Sequence, residues 1–229
     1  MSLPGTDALV YADGSNPWFT WQFLQQNTDG VLAALREHVL LTAEAVLLAT
    51  LVAVPLAIVA YWFRRVTGPI LALTGVLYTI PSLALFAILA PFVGIGRATV
   101  LIGLVTYALL VIVRNTLAGL GQVPEEVRDA ARGMGYGRFG QLWRIDLPLA
   151  LPGILTGVRL ATVSTVALVT VGVLVGHGGL GEFLTTGFHS SYRAEVMTAT
   201  IIIFLLGLVL DLLLAGVGRL LTPWTRRAR

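Results

Sequence analysis

Asp129-Ala130-Ala131, Gly135 and Ile145-Asp146-Leu147-Pro148 stand at fixed intervals in a polar, glycine-punctuated stretch of an otherwise strongly apolar chain. Pro124 suits the first turn of a helix, where its missing N–H costs nothing, and Glu125 and Glu126 complement the positive end of the helix dipole. Val127, Ala131 and Met134 recur at helical spacing on one face, and Gly133, Gly135 and Gly137 mark where that helix ends. A second short helix is predicted to carry Phe139, Leu142 and Trp143 on one side, with Leu147-Pro148 stopping it. The chemistry open to such a pair of helices is binding. Small side chains at Ala130 and Ala131 let a partner's backbone approach closely, and an apolar knob at Met134 flanked by charges suits insertion into a groove. An amphipathic loop lying on a membrane surface fits the same pattern.

Other reactive residue types form no catalytic set. His38, His177 and His189 lack metal-ligand spacing, and no Ser-His-Asp or paired-carboxylate arrangement stands out. All 15 basic residues are arginines, so a phosphate loop of the GxxxxGK[ST] type is excluded, and with it a standard Walker-type ATPase within this chain. The absence of cysteine excludes disulfides and thiolate chemistry. Glu44 and Asp211 are acids within apolar runs, where a charge is costly. Asp211 has Arg159 as a candidate partner, and Glu44 lies near a span end. Pro81, beside Tyr78, Thr79 and Ser82, predicts a kink that either lines a path or packs between helices. Gly153, Gly157 and Ala161 form a small-residue ridge suited to close helix packing. Gly176–Gly181, with His177 and Glu182, reads either as a gating turn or as a plain connection.

The elements that position these residues follow from composition. With 56% hydrophobic and 12% charged residues and a mean hydropathy of +0.85, the chain is an integral membrane protein. Five spans are predicted, at about Val39–Phe63, Ile70–Pro91, Ala98–Val113, Leu151–Val175 and Val196–Leu221. The third is short, and it either ends in snorkelling arginines or continues through Asn115–Leu120. These spans are too long and too unalternating for barrel strands, so the fold class is all-α, a polytopic transmembrane helical protein. Trp18–Leu35 is too polar to span and predicts an interfacial amphipathic helix. Residues 1–38 form an N-terminal segment, 39–221 a transmembrane domain with a loop at 121–149, and 222–229 a basic tail. Met1–Asp13 lacks the features of a signal peptide.

Arginines cluster on one side of the membrane: eleven, including Arg64, Arg65, Arg114 and those of the loop and tail, against Arg36, Arg97 and Arg193 on the other. The positive-inside rule therefore predicts a cytoplasmic loop and C-terminus and an external N-terminus. Membrane topology thus accounts for the pI near 9.7, and nucleic acid is not an expected partner.

The spacing Asp129-Ala130-Ala131-x3-Gly135-x9-Ile145-x-Leu147-Pro148 resembles the EAA loop of ABC-transporter permeases, with aspartate in place of the usual glutamate. Tyr78–Phe86, Val113–Leu120 and Gly178–Phe183 look like the osmoprotectant permeases, the glycine betaine, carnitine and choline importers of the ProW and OpuC type. This resemblance covers about residues 30–220. It implies a type I (MetI-like) importer permease in a bacterial inner membrane. A second permease subunit, cytoplasmic ABC ATPases holding ATP and Mg, and an external substrate-binding protein would be its partners. It further implies that Glu125, Glu126, Asp129, Ala130, Ala131, Met134, Gly135, Ile145, Leu147 and Pro148 couple to the ATPase. The translocation path would involve Tyr78, Thr79, Pro81, Ser82, Asn115 and Glu182, and the chain itself would be non-catalytic and free of cofactors. The alternative is an autonomous secondary transporter or channel, against which the scarcity of intramembrane acids and the elaborate loop both argue.

Overall fold

A computed structural model of the protein describes residues 16–224. Met1–Asp13 and the tail arginines Arg226, Arg227 and Arg229 lie outside the described residues. Ten α-helices follow in order among those described: α1 (Trp21–Gln26), α2 (Thr28–Trp62), α3 (Arg64–Thr79), α4 (Ser82–Val93), α5 (Arg97–Gly121), α6 (Glu125–Gly133), α7 (Arg138–Gln141), α8 (Leu147–Val169), α9 (Gly181–His189) and α10 (Arg193–Leu221). Four helical stretches are long and apolar enough to cross a membrane, or five when the bent pair α3–α4 counts as one. The five expected spans are all present, with different ends.

The first span begins at Thr28 and not at Val39. The polar stretch before it folds as helix because Val31 and Ala34 bury against Leu180. The expected interfacial helix contracts to α1, whose Phe23 N–H is capped by the Thr20 hydroxyl. Phe23 is buried edge-on against Phe183 and Tyr192, so α1 is fastened to α9 and α10.

The second expected span is broken. Pro81 pushes Ile80 out of the helical region (φ −66°, ψ 127°), and α3 meets α4 at 98°. The carbonyl freed at Ile80 accepts a hydrogen bond from the Tyr107 hydroxyl, so α5 holds the corner. Tyr78 stacks edge-on against the same Tyr107 ring at 5.7 Å.

The third span, α5, continues through Asn115–Leu120 to Gly121 and forms the centre of the bundle, packed along α2 and α8. The ridge on α8 is what lets α5 approach so closely. A Cβ on Gly153 would lie 2.7 Å from the Gly119 Cα, and one on Gly157 would lie 2.7 Å from the Asn115 Cβ. Ala161 is fully buried beyond them. His38 of α2, also fully buried, donates from Nε2 to the Val166 carbonyl of α8 at 2.9 Å.

Leu147-Pro148 does not stop a helix. Residues from Arg138 to Val175 form one continuous helical stretch, with a π segment at Leu142–Asp146 and a 3-10 end at Thr170–Val175. Pro148 sits in the first turn of α8, where its ring is tolerated.

Candidate functional site: a helical docking loop

The loop between α5 and α8 is built around α6. Pro124 enters in an extended conformation and Glu125 and Glu126 occupy the first turn, with Arg132 in the last. The helix ends in a Schellman motif. The Gly135 N–H bonds to the Arg132 carbonyl at 2.9 Å, and the Tyr136 N–H reaches back to the Ala131 carbonyl at 3.1 Å. That closure requires a left-handed residue, and Gly135 supplies it at φ 84°.

Arg128 is the hub that fixes this helix to the bundle. Its Nε lies 3.3 Å from Asp146 Oδ1 in the π segment, and its Nη1 lies 3.3 Å from Glu125. Nη2 donates to the Leu120 carbonyl at the end of α5. The guanidinium also stands 5.3 Å from the centre of the Tyr61 ring near the end of α2. Asp146 is 2% exposed, and its other oxygen accepts from Gln141 at 3.4 Å. One side chain thus links α2, α5, α6 and the foot of α8. Sequence reading missed both partners. Arg128 counted only toward topology, and Asp146 is an unspecified position of the motif. The detectable signal was an acid sitting between two apolar residues, Ile145 and Leu147.

Arg132 pairs with Asp129 at 2.8 Å and with Glu125. The hydrogen bonds from Arg128 and Arg132 hold the Glu125 carboxyl below the usual glutamate range.

The predicted coupling residues divide by burial. Glu125, Glu126, Asp129, Ala130 and Met134 are exposed, Met134 at 70%. Ala131 is fully buried, so it is not offered to a partner; its small size serves the packing of α6 on its own chain. Met134 therefore does not share a buried face with it. Ile145, Leu147 and Pro148 are half-buried where α8 begins. Leu142 is buried while Phe139 and Trp143 face outward, so these three do not form the expected single side. Phe139 instead stacks on Trp62 at 5.2 Å.

The predicted path residues occupy three separate places. Tyr78, Thr79, Pro81 and Ser82 form the α3–α4 corner. Asn115 lies eight residues beyond Tyr107 on α5, against Gly157, and donates to the Val111 carbonyl. Glu182 sits on α9, after a glycine turn in which Gly179 presses on the α2 backbone at His38. Burial raises the Glu182 pKa and Glu37 adds to the rise, while His177 opposes it. His177 Nδ1 in turn lies 2.7 Å from Glu37. Arg159 and Asp211 do pair, at 3.0 and 2.8 Å, and Glu44 pairs with Arg97 at 2.7 Å.

A bundle of about five apolar spans with a helical loop between its third and fourth spans is the architecture of a multi-pass membrane protein. The chain belongs to the binding-protein-dependent transport system inner membrane component family, whose model matches residues 41–227. It is 33% identical over 202 residues to the choline transport system permease protein OpuBB of Bacillus subtilis, covering 88% of this chain and 93% of that protein. Its identity to the glycine betaine/carnitine/choline transport system permease protein OpuCD of the same organism is 34%, over 88% of each chain. The osmoprotectant import permease protein OsmW of Salmonella typhimurium is 36% identical over 85% of this chain and 93% of its own. In fold the chain is similar to an inward-facing structure of the MetNI methionine ABC transporter, with a TM-score of 0.73 at 21% identity, covering 89% of this chain and all of that one. The architecture is that of a MetI-like type I importer permease.

Proposed function

We propose that this chain forms the translocation pathway of an ATP-driven importer for compatible solutes of the glycine betaine, carnitine and choline kind. ATP and Mg are bound and used by separate cytoplasmic ATPase subunits, which dock on the α6 loop. A second permease subunit completes the pore, and an external binding protein delivers the solute. Arginine distribution supports a cytoplasmic loop and C-terminus and an external N-terminus.

The observation that carries this reading is the construction of the loop. Glu126, Asp129, Ala130 and Met134 are exposed on a helix that Arg128, Asp146 and Gly135 hold firmly against three spans. A loop meant only to connect would need no such anchoring. The exposed residues are the ones proposed to touch the ATPase, whereas Ala131, Gly135, Ile145, Leu147 and Pro148 shape and anchor the surface. Tyr78, Thr79, Pro81, Ser82, Asn115 and Glu182 are proposed to border the path at successive levels.

The test is co-purification of an ATPase with the wild-type chain and with Ala130→Arg and Met134→Arg variants. Both substitutions alter exposed positions and leave the anchoring intact. Loss of ATPase association with normal membrane insertion is the expected result. Full association and normal uptake in both variants would remove the docking role. Solute uptake by the lone chain, driven by an ion gradient without nucleotide, would replace the reading with a secondary transporter.

A further inference from the structure

The break at Ile80-Pro81 divides one apolar run into α3 and α4, the one bent pair of helices among the described residues. Tyr107 is ten residues into α5, about 15 Å from its first turn, so the corner it holds stands deep in the spanning region. Two neighbours on one face of α5 hold the two arms. Phe86 of α4, 1% exposed, fills the place of a side chain at Gly103, where an added Cβ would lie 2.9 Å from its Cδ1. One turn on, the buried Tyr107 donates its hydroxyl to the Ile80 carbonyl and meets the Tyr78 ring edge-on. The α4 arm is thus fixed by packing. By contrast α3 buries Thr74 alone and exposes Leu73 and Val76, and at the corner its end is held by the hydroxyl and ring of Tyr107.

The Ile80 carbonyl has a second donor available to it. In a continuous helix it would accept from the N–H of Ala84, four residues on. Here Ala84 belongs to the first turn of α4, whose N–H groups have no partner within their own helix. Straightening the run would therefore exchange the Tyr107 hydroxyl for the Ala84 N–H. The carbonyl is satisfied in either form, as backbone inside lipid requires. Proline weights the balance toward the bend, since it disfavours helical geometry at Ile80 and has no N–H to give back to the helix. Two satisfied arrangements of one packed element make a bistable joint, not a continuously flexible one.

We propose that the α3–α4 corner is a two-state joint and that Tyr107 is its positioning residue. The hydroxyl selects the bent form, and the ring contact sets where Tyr78 stands. The consequence for transport rests on the function proposed above: α3 changes direction once in each cycle and carries Tyr78 and Thr79 with it, while α4 stays seated on α5.

The chain has no cysteine, so spin labels on Leu73→Cys and Ile88→Cys, both at exposed positions, read the corner directly. From the lengths of the two arms, straightening adds roughly 7 Å to their separation. In the reconstituted transporter at rest, the labelled but otherwise unchanged chain is expected to show one short distance. Tyr107→Phe removes only the hydroxyl and is expected to raise the population of the longer distance about tenfold, the worth of one buried carbonyl bond. Pro81→Ala restores the missing N–H and favours the straight run. In that background the longer distance is expected to dominate with or without the Tyr107 hydroxyl, whereas a general packing defect from Tyr107→Phe would appear in both backgrounds. During ATP turnover with binding protein and glycine betaine, the unchanged chain is expected to populate both distances. Tyr107→Phe is expected to lower the maximal uptake rate several-fold and leave the half-saturating binding-protein concentration in place. A resting distribution in Tyr107→Phe equal to that of the unchanged chain, or a short distance that persists throughout turnover, overturns the joint. If no solute is carried, the proposed function fails, while the resting distances, which need no solute, still decide the joint.

Discussion

Replacing Arg128 by alanine tests whether α6 is held to the bundle by one side chain. The substitution strands Asp146, whose side chain is 3% exposed and whose strongest partner is the guanidinium 3.3 Å away. Removing one partner of a buried pair costs about 3–5 kcal/mol, and the rather long contact places this pair near 3 kcal/mol. Losing the donation to the Leu120 carbonyl adds about 1 kcal/mol. About 4 kcal/mol corresponds to a shift of roughly 10³ in the equilibrium between anchored and detached loop. Amide hydrogen exchange in α6 is therefore expected to accelerate by about that factor, while exchange in α5 and α8 away from the loop stays nearly unchanged. On the proposed function, ATP hydrolysis in the reconstituted transporter continues while solute moved per ATP falls, because the exposed residues proposed to dock are untouched and their link to α8 is lost. Arg128→Met combined with Asp146→Leu removes both charges and is expected to restore most of the protection. Exchange in α6 within tenfold of wild type, or uptake and hydrolysis falling in proportion, refutes the hub.

Three further outcomes follow from the geometry. Gly135→Ala forces a Cβ onto a residue at φ 84° with open space around it, so the cost is conformational alone, about 1–2 kcal/mol. The thermal midpoint of the purified protein drops, and Gly135→Asn, which tolerates that backbone better, recovers part of it. Gly153→Val drives side-chain atoms into the α5 backbone, where even a Cβ would be 2.7 Å from Gly119, and costs at least the ~1–3 kcal/mol of an overpacked core. Detergent-resistant yield falls sharply, whereas Gly216→Val, where nothing lies within 4 Å, leaves it near normal. For Glu182, burial raises the folded-state pKa above that of the unfolded chain. Its protonated form is thus favoured by folding, a contribution complete below the ordinary glutamate range and lost as pH rises through the raised value. Glu182→Gln should gain thermal stability over wild type as pH climbs from acid to neutral. A difference constant across pH would show that its burial has no energetic consequence.

The spans were legible in the sequence because lipid leaves a chain few choices, and runs of some twenty apolar residues must be helices. Their ends were harder to see. A mean hydropathy signal fades at the first polar residue, so Thr28–His38 looked like a separate segment, although Val31 and Ala34 bury there as any helix face would. The same signal ran straight across Ile80-Pro81, since both are apolar. The 98° corner depends on whether a neighbour can satisfy the freed carbonyl, and Tyr107, 27 residues away, does so. The α8 ridge was readable because a repeat of small residues every fourth position has few uses except close approach.

The loop shows where a spaced motif stops being informative. Its pattern names residues without saying which of them face outward, and helical spacing put Val127, Ala131 and Met134 on one side. The Schellman turn at Gly135 ends that periodicity before Met134, leaving Ala131 sealed and Met134 free. On the proposed function, the motif then carries two kinds of position. Ala131, Gly135, Leu147 and Pro148 determine the shape of the joint, and substitutions there disturb docking only by deforming the loop. Ala130, Asp129 and Met134 form the surface itself, where a substitution disturbs docking while the joint stays whole. The ion pair that makes the joint stiff joins Arg128, just before the motif, to Asp146, an unspecified position within it eighteen residues on, bridging α6 to the π segment. Without that pair a pull on α6 would be absorbed by the glycine elbow. With it, the pull reaches α8 through a buried carboxylate.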